Sequence, residues 1–319
     1  MAPELIIVVD TEEEFDWSKP FSRAATSTGS IPAQARAHAI YERFGIVPTY
    51  VVDYPVATDP QAIGFLRALK EEGKAEIGAH LHPWVTPPHE EEVNRRNSYH
   101  CNLPPELERR KIVTLTEAIA NAFGERPTIF KAGRYGFGRN TARVVAELGY
   151  RIDCSKVPHT DLRSDGGPDF RGTPAEPHWL AEGLFEVPLT VGFFGAAAAA
   201  GPRLDALFDS AAAARLRIPG LLARSGIVAR SRLTPEGVSA VEQCRLLEAL
   251  VGQGQRVFTL TYHSPSLEPG HTPYVRSRVE LEAFLASIEQ VLVFFRDRLG
   301  GRFTTLTDLY QRAAERAAA

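Results

Sequence analysis

Two histidines separated by one residue, His80-Leu81-His82, have a spacing suited to metal chemistry. In extended backbone, positions i and i+2 project to the same side with Cα atoms about 6.5–7 Å apart, so both imidazoles can converge on one cation. A carboxylate from a neighbouring strand end would complete a His₂–carboxylate set with open positions for water and substrate. Such a donor set suits Zn²⁺, Co²⁺, Ni²⁺ or Fe²⁺. The run Asp10-Thr11-Glu12-Glu13-Glu14 offers that carboxylate. Asp10 stops the apolar run Leu5–Val9, and Asp10 and Glu12 share a side by the period of two. One of them can ligate a metal while the other takes a proton from the attacking water. Beside a cation a carboxylate stays ionised and available for that transfer.

Other groups follow apolar runs in the same way. His263 closes Val257–Tyr262, and an imidazole titrating near neutrality suits protonation of a leaving group. Arg134, in Phe130-Lys131-Ala132-Gly133-Arg134-Tyr135-Gly136, can orient a carboxylate base through a two-pronged contact. Asp153 ends the next run and is a candidate partner for Arg134 or His263.

The elements that must carry these residues alternate along the chain. Strands are expected at Leu5–Val9, Pro48–Val52, Ala75–Gly78, Thr128–Lys131, Tyr150–Asp153, Phe185–Leu189, Val257–Tyr262 and Phe303–Leu306. Helices are expected at Ala33–Phe44, Gln61–Glu72, Pro105–Phe123, Arg139–Leu148, Pro235–Leu250, Arg278–Arg298 and Leu306–Ala317. Alternation of this kind predicts a parallel sheet covered by helices, open or closed into a barrel. Helix-to-strand connections are short, whereas the strand-to-helix segments 11–31, 80–104, 154–182 and 264–277 are long. Long loops are usually functional, and these share the carboxyl ends of the strands, where α/β folds hold their sites. The Ala-rich segment 192–232 reads as a helical insertion with no clear strand.

The chain has 319 residues, compatible with one large α/β barrel, and 44% hydrophobic and 24% charged residues mark it as globular. At that length roughly three quarters of the unfolded chain's surface can be buried, so no staple is required. Lys plus Arg number 36 against 39 Asp plus Glu, a net charge of −3, which argues against binding nucleic acid through its phosphates. The three cysteines are scattered without CxxC spacing and suggest neither a disulfide framework nor a thiolate zinc site. No stretch approaches the ~18 apolar residues of a membrane span. The opening segment lacks the basic region of a signal peptide, so a cytoplasmic location with reduced thiols is expected.

Taken in order, these motifs resemble those of the polysaccharide deacetylase family, the chitooligosaccharide-deacetylase-like carbohydrate esterases. The resemblance runs from Asp10 to about Leu306. It implies a single domain, residues 1–319, with a distorted (β/α)₇ TIM-like barrel that uses a divalent metal, zinc before cobalt or nickel, to remove acetyl groups from sugars. Asp10 and Glu12 match the family's base and metal-binding acid, and Glu76–His82 matches its metal-histidine motif. Gly133-Arg134-Tyr135 matches the arginine motif, Asp153 the aspartate motif and Leu260-Thr261-Tyr262-His263 the Leu-x-x-His motif. The resemblance thus implies Glu12, His80 and His82 as metal ligands, with His89 or His100 as alternatives to His82. Asp10 would be the base and His263 the acid, supported by Arg134 and Asp153. Trp84, Tyr135 and Leu260 would line the substrate. Three departures mark a divergent subgroup. A threonine separates the two acids, His-x-His replaces His-x-x-x-His with Trp84 at the usual second position, and Gly136 stands where a proline usually follows. The expected substrate is an acetylated amino sugar or glycan precursor. Another C–N amidohydrolase on the same scaffold, or a degenerate barrel that binds a glycan or partner, is the alternative.

Overall fold

The computed structural model describes residues 2–318. Eleven strands occur among them: β1 (Glu4–Thr11), β2 (Thr49–Val52), β3 (Glu76–Leu81), β4 (Ile129–Ala132), β5 (Ile152–Asp153), β6 (His178–Trp179), β7 (Phe185–Glu186), β8 (Val191–Phe194), β9 (Ala229–Arg232), β10 (Val257–His263) and β11 (Arg302–Phe303). The main sheet has the order β10-β1-β2-β3-β4-β5-β7-β6, and β11 pairs with the start of β1. All of its pairings are parallel except β6 with β7.

The strands have apolar side chains on both faces because both are covered. Ile6, Val8, Val51, Ile129, Ile152, Cys154, Phe185 and Val187 fill the inner face, against Leu306 and Leu309 of the helix Leu306–Ala318. The opposite parity, including Leu5, Ile7, Val9, Tyr50, Val52 and Phe130, meets the surrounding helices. Gly78 is required inside, since a Cβ there would lie 2.8 Å from Val51 Cγ1. The curl is completed without a continuous ladder. Thr259 N donates to Thr190 Oγ1 at 2.8 Å, Thr259 Oγ1 donates to the Pro188 carbonyl at 3.1 Å, and Thr261 N donates to the Leu233 carbonyl at 3.2 Å. The architecture is therefore the α/β, distorted (β/α) barrel that the family resemblance implies, built on the strand–helix alternation read from the sequence.

Local signals set the covering helices. Pro105–Phe123 starts on a proline, carries Glu106 and Glu108 in its first turn, and stops at Gly124, whose φ of 81° suits glycine. Ser239 and Ser277 cap the helices Ala240–Gly252 and Arg278–Val293 by accepting from Glu242 N and Glu280 N. The former starts later than the expected Pro235, because Gly237 turns the chain at φ 72° and leaves Glu236 outside the helix. In segment 192–232 the ends pair as an antiparallel ribbon, β8 with β9, and the Ala-rich stretch between them forms short helical turns. Among the described residues no helix is long and apolar enough to cross a membrane.

Candidate active site

Register brings the chemistry-bearing residues to one end of the sheet. Asp10 pairs with His263 between β1 and β10, and His80 pairs with Lys131 between β3 and β4. Beyond β1 the chain continues into Glu12 and Glu13, and beyond β3 into His82. All six side chains named up to His82, His263 apart, are almost entirely buried.

Glu12, His80 and His82 form a group able to hold a metal, with donor atoms within 4.8 Å of one another. Glu12 Oε2 lies 3.5 Å from both His80 Nε2 and His82 Nε2. The far nitrogens are fixed: His80 Nδ1 faces the Lys131 carbonyl at 3.1 Å, and His82 Nδ1 faces Glu13 Oε2 at 2.7 Å. Such outer contacts orient metal-binding imidazoles. Burial drives His80 well below the usual imidazole range and His82 down to about 4, so both are neutral near pH 7. Glu12 Oε1 and His80 Nε2 are buried without a hydrogen-bond partner. Burial, opposed by the charge on His263, leaves the Glu12 carboxyl well above its ordinary range. Two neutral imidazoles and a buried carboxylate with unused lone pairs fit a divalent cation. Among the described residues His89 and His100 belong to no such group, and His100 instead pairs with Glu108 at 2.9 Å.

Asp10 sits beside this group. Its Oδ1 accepts from Lys131 Nζ, which also donates to Thr261 Oγ1 at 3.0 Å, and its Oδ2 faces His263 Nε2 at 3.7 Å. Burial opposes ionisation of Asp10, yet the Lys131 ammonium, with His80 and His263, holds it below the usual carboxylate range. His263 Nδ1 lies 2.7 Å from Glu236 Oε2, and its backbone N donates to Glu236 Oε1 at 3.1 Å. Burial disfavours its charge, but Glu236, Glu12 and Asp10 outweigh that and hold the imidazole well above its ordinary range.

Three expectations need correction. Arg134 does not orient Asp10: it bonds Ser98 and Asp165, its guanidinium lying 4.9 Å from the Phe21 ring and 4.4 Å from the Tyr99 ring. Lys131, three residues earlier and inside β4, occupies the position beside the base. Asp153 pairs with neither Arg134 nor His263. It accepts from Ser155 Oγ at 2.6 Å and neighbours Glu186, because the inner face at β5 belongs to Ile152 and Cys154. Leu260 is fully buried among the outer-face residues, since parity gives the inner face to Thr261 and His263.

Trp84 and Tyr135 do line the cavity, together with Arg134. The Trp84 ring stacks on His82 with centroids 4.3 Å apart, and its N–H donates to Glu13 Oε1 at 2.7 Å. Arg134 and Tyr135 are consecutive non-glycine residues with positive φ, 50° and 61°, a strained turn at the cavity wall. The residues that sequence reasoning did not single out are Lys131, Glu13, Asp53 and Glu236. Asp53 caps the turn Tyr54–Thr58 through Val56 N and accepts from Glu13 N at 2.7 Å, which fixes the loop after β1. Glu13 and Lys131 lay in motifs already under scrutiny, whereas Asp53 and Glu236 did not.

The cavity above these groups has a volume of about 960 Å³ and is walled by aromatic rings, including Phe15, Trp17, Phe21 and Tyr274. It is large enough for a sugar unit with its substituents rather than an acetyl group alone.

No family model and no curated protein matches the sequence. Solved structures do match in fold. A candidate polysaccharide deacetylase from Mycobacterium smegmatis is 16% identical with a TM-score of 0.52, over 99% of this chain and 95% of that one. The Puue allantoinase is 15% identical with a TM-score of 0.54, over 97% and 89%. A GH57-type branching enzyme from Pyrococcus horikoshii is 11% identical with a TM-score of 0.51, over 98% and 70%. The chain therefore has the fold found in polysaccharide deacetylases, a resemblance its motif order carries as well, on a scaffold that other activities share.

Proposed function

We propose that this protein is a metal-dependent hydrolase that removes acetyl groups from N-acetylated sugars, a divergent relative of the polysaccharide deacetylases. The observation that carries the proposal is the convergence of Glu12, His80 and His82 beside an ionised Asp10 and a protonated His263. Glu12 Oε and the two Nε2 atoms would hold the cation. When bound, a divalent metal supplies Lewis-acid polarisation of the acyl carbonyl. Asp10 Oδ2 takes the proton from the attacking water, and Lys131 keeps that carboxylate ionised. As the C–N bond breaks, His263 Nε2 gives its proton to the departing amine. Glu236 stabilises the imidazolium and fixes its ring through Nδ1. Trp84 and Glu13 hold His82 in place. Arg134 and Tyr135 belong to the substrate wall, and Asp153 supports the β5–β7 edge.

The test is metal content and acetate release from N-acetylglucosamine derivatives. Wild type is expected to bind near-stoichiometric zinc, cobalt or nickel and to release acetate. His80→Ala is expected to lose the metal, and Asp10→Asn to keep it while turnover falls by at least about a hundredfold. Full activity in Asp10→Asn would refute the base assignment. Turnover of small cyclic amides without acetate release would support the amidohydrolase reading. No metal uptake from any of the three ions would support the degenerate barrel.

A further inference from the structure

One wall of the cavity consists of hydrogen-bond donors that the protein itself leaves unused. Trp17 comes from the loop after β1, Arg232 from the end of β9 and Tyr274 from the loop after β10, and all three line the cavity beside His263. The Trp17 ring lies 5.0 Å from the His263 ring and 5.8 Å from that of Tyr274. Trp17 Nε1 is enclosed and has no acceptor. Among the described residues the Arg232 guanidinium has no ion-pair partner and the Tyr274 hydroxyl has no hydrogen bond, although both line the same space. The neighbouring acid, Glu236, is already occupied by His263 and by Ser266 Oγ at 2.6 Å.

The charged groups of the cavity set Arg232 apart. Lys19, Arg95, Arg134 and Arg232 line it, as do the carboxylates Asp10, Glu12, Asp165 and Glu236. Arg95 and Arg134 share Asp165 and Lys19 pairs with Asp16 at 3.0 Å, which leaves Arg232 as the lining arginine without an ion-pair partner among the described residues. A planar guanidinium matches a phosphate or carboxylate through paired N–H donors.

We propose that Arg232, with Trp17 and Tyr274, forms a subsite for an anionic substituent, a phosphate or carboxylate, carried by the substrate. This deepens the deacetylase reading and rests on it for the acetylated sugar. The substrate is then a charged sugar derivative, with the acetamide over Asp10 and the anion at the β9 side.

Calorimetric binding to the zinc-loaded protein tests the proposal with three probes: N-acetylglucosamine, N-acetylglucosamine 1-phosphate and an N-acetylated hexosaminuronate. At least one charged sugar is expected to bind about tenfold more tightly than the neutral one. In Arg232→Gln the ratio is expected to fall to near one. Arg278→Gln, which removes the same charge from an exposed helix position, is expected to preserve it. The preferred anion tells phosphate from carboxylate. A wild-type ratio near one, or a ratio that survives in Arg232→Gln, overturns the subsite. Acetate release in the same samples separates the two claims. Equal release from neutral and charged sugars removes the subsite and leaves the deacetylase. An Arg232-dependent preference without acetate from any probe does the reverse. Binding of none of the three overturns both.

Discussion

Lys131 shows how one residue can redistribute roles within a site. It is fully buried, and its ammonium is paired with the Asp10 carboxylate. Removing one partner of a buried pair leaves the other charge uncompensated, which costs about 3–5 kcal/mol. Lys131→Met is therefore expected to lower unfolding free energy by that amount in denaturant titration and to reduce acetate release. Adding Asp10→Asn is expected to restore much of the stability and none of the turnover. Unchanged stability in Lys131→Met would show that the pair is not what holds Asp10. Gly133 acts by what it lacks. A Cβ there would lie 2.3 Å from the Leu81 carbonyl and 2.4 Å from the His82 ring. Gly133→Ala is expected to displace His82 and weaken metal binding about 10–100-fold in a zinc titration; wild-type affinity would refute that contact. The histidine pair and the acidic run were legible because their spacing is itself chemical. A lysine inside an apolar strand and a glycine in a turn were not, because their roles depend on what lies across the barrel.

At the scale of elements, strand positions were legible in the apolar runs, while the direction each residue faces was not. Asp153 was assigned to the site from its position at a strand end and Leu260 from the Leu-x-x-His motif, yet parity sends both to the outer face. Short strands such as β5 offer no alternation from which to read it. The strands β6, β8 and β9 escaped notice because they are short and their pairing is antiparallel, outside the rhythm of strand and helix. The outward placement of Asp153 has a consequence for stability. It stands in register with Glu186, and both side chains are fully buried. Burial and the charge of Asp153 push the Glu186 carboxyl well above its ordinary range. The folded chain therefore binds more protons than the unfolded chain between the ordinary glutamate pKa and that raised value. Stability falls as pH rises through this window. Glu186→Gln mimics the protonated form and escapes the loss. Its Tm is expected to match wild type near pH 4 and to exceed it by about 2–4 °C near pH 8. An equal difference at both pH values would rule out titration as the cause.

For the whole molecule, the alternation of runs and the one-sided distribution of long loops made a helix-covered parallel sheet with its site at one end legible, and the motif resemblance pointed to the distorted barrel, but the fold does not choose the chemistry. The same scaffold carries a candidate deacetylase, an allantoinase and a branching enzyme at comparable TM-scores. The choice falls to the side chains at the strand ends, and the proposed metal would join two of those ends. Glu12 follows β1, and His80 and His82 belong to β3 and its extension, with β2 between them in the sheet. An ion held by Glu12, His80 and His82 would tie the first strand to the third, in a place where Glu12 Oε1 and His80 Nε2 have no hydrogen-bond partner. A ligand that binds only the folded state stabilises it by about 4 kcal/mol at a thousand times its Kd. Saturating zinc is thus expected to raise the Tm of chelator-treated protein on the order of 10 °C. His80→Ala is expected to melt at one temperature with or without zinc. A wild-type Tm indifferent to zinc and to chelator would mean that the three donors bind no ion at these concentrations. The barrel would then have to be explained by its cavity alone.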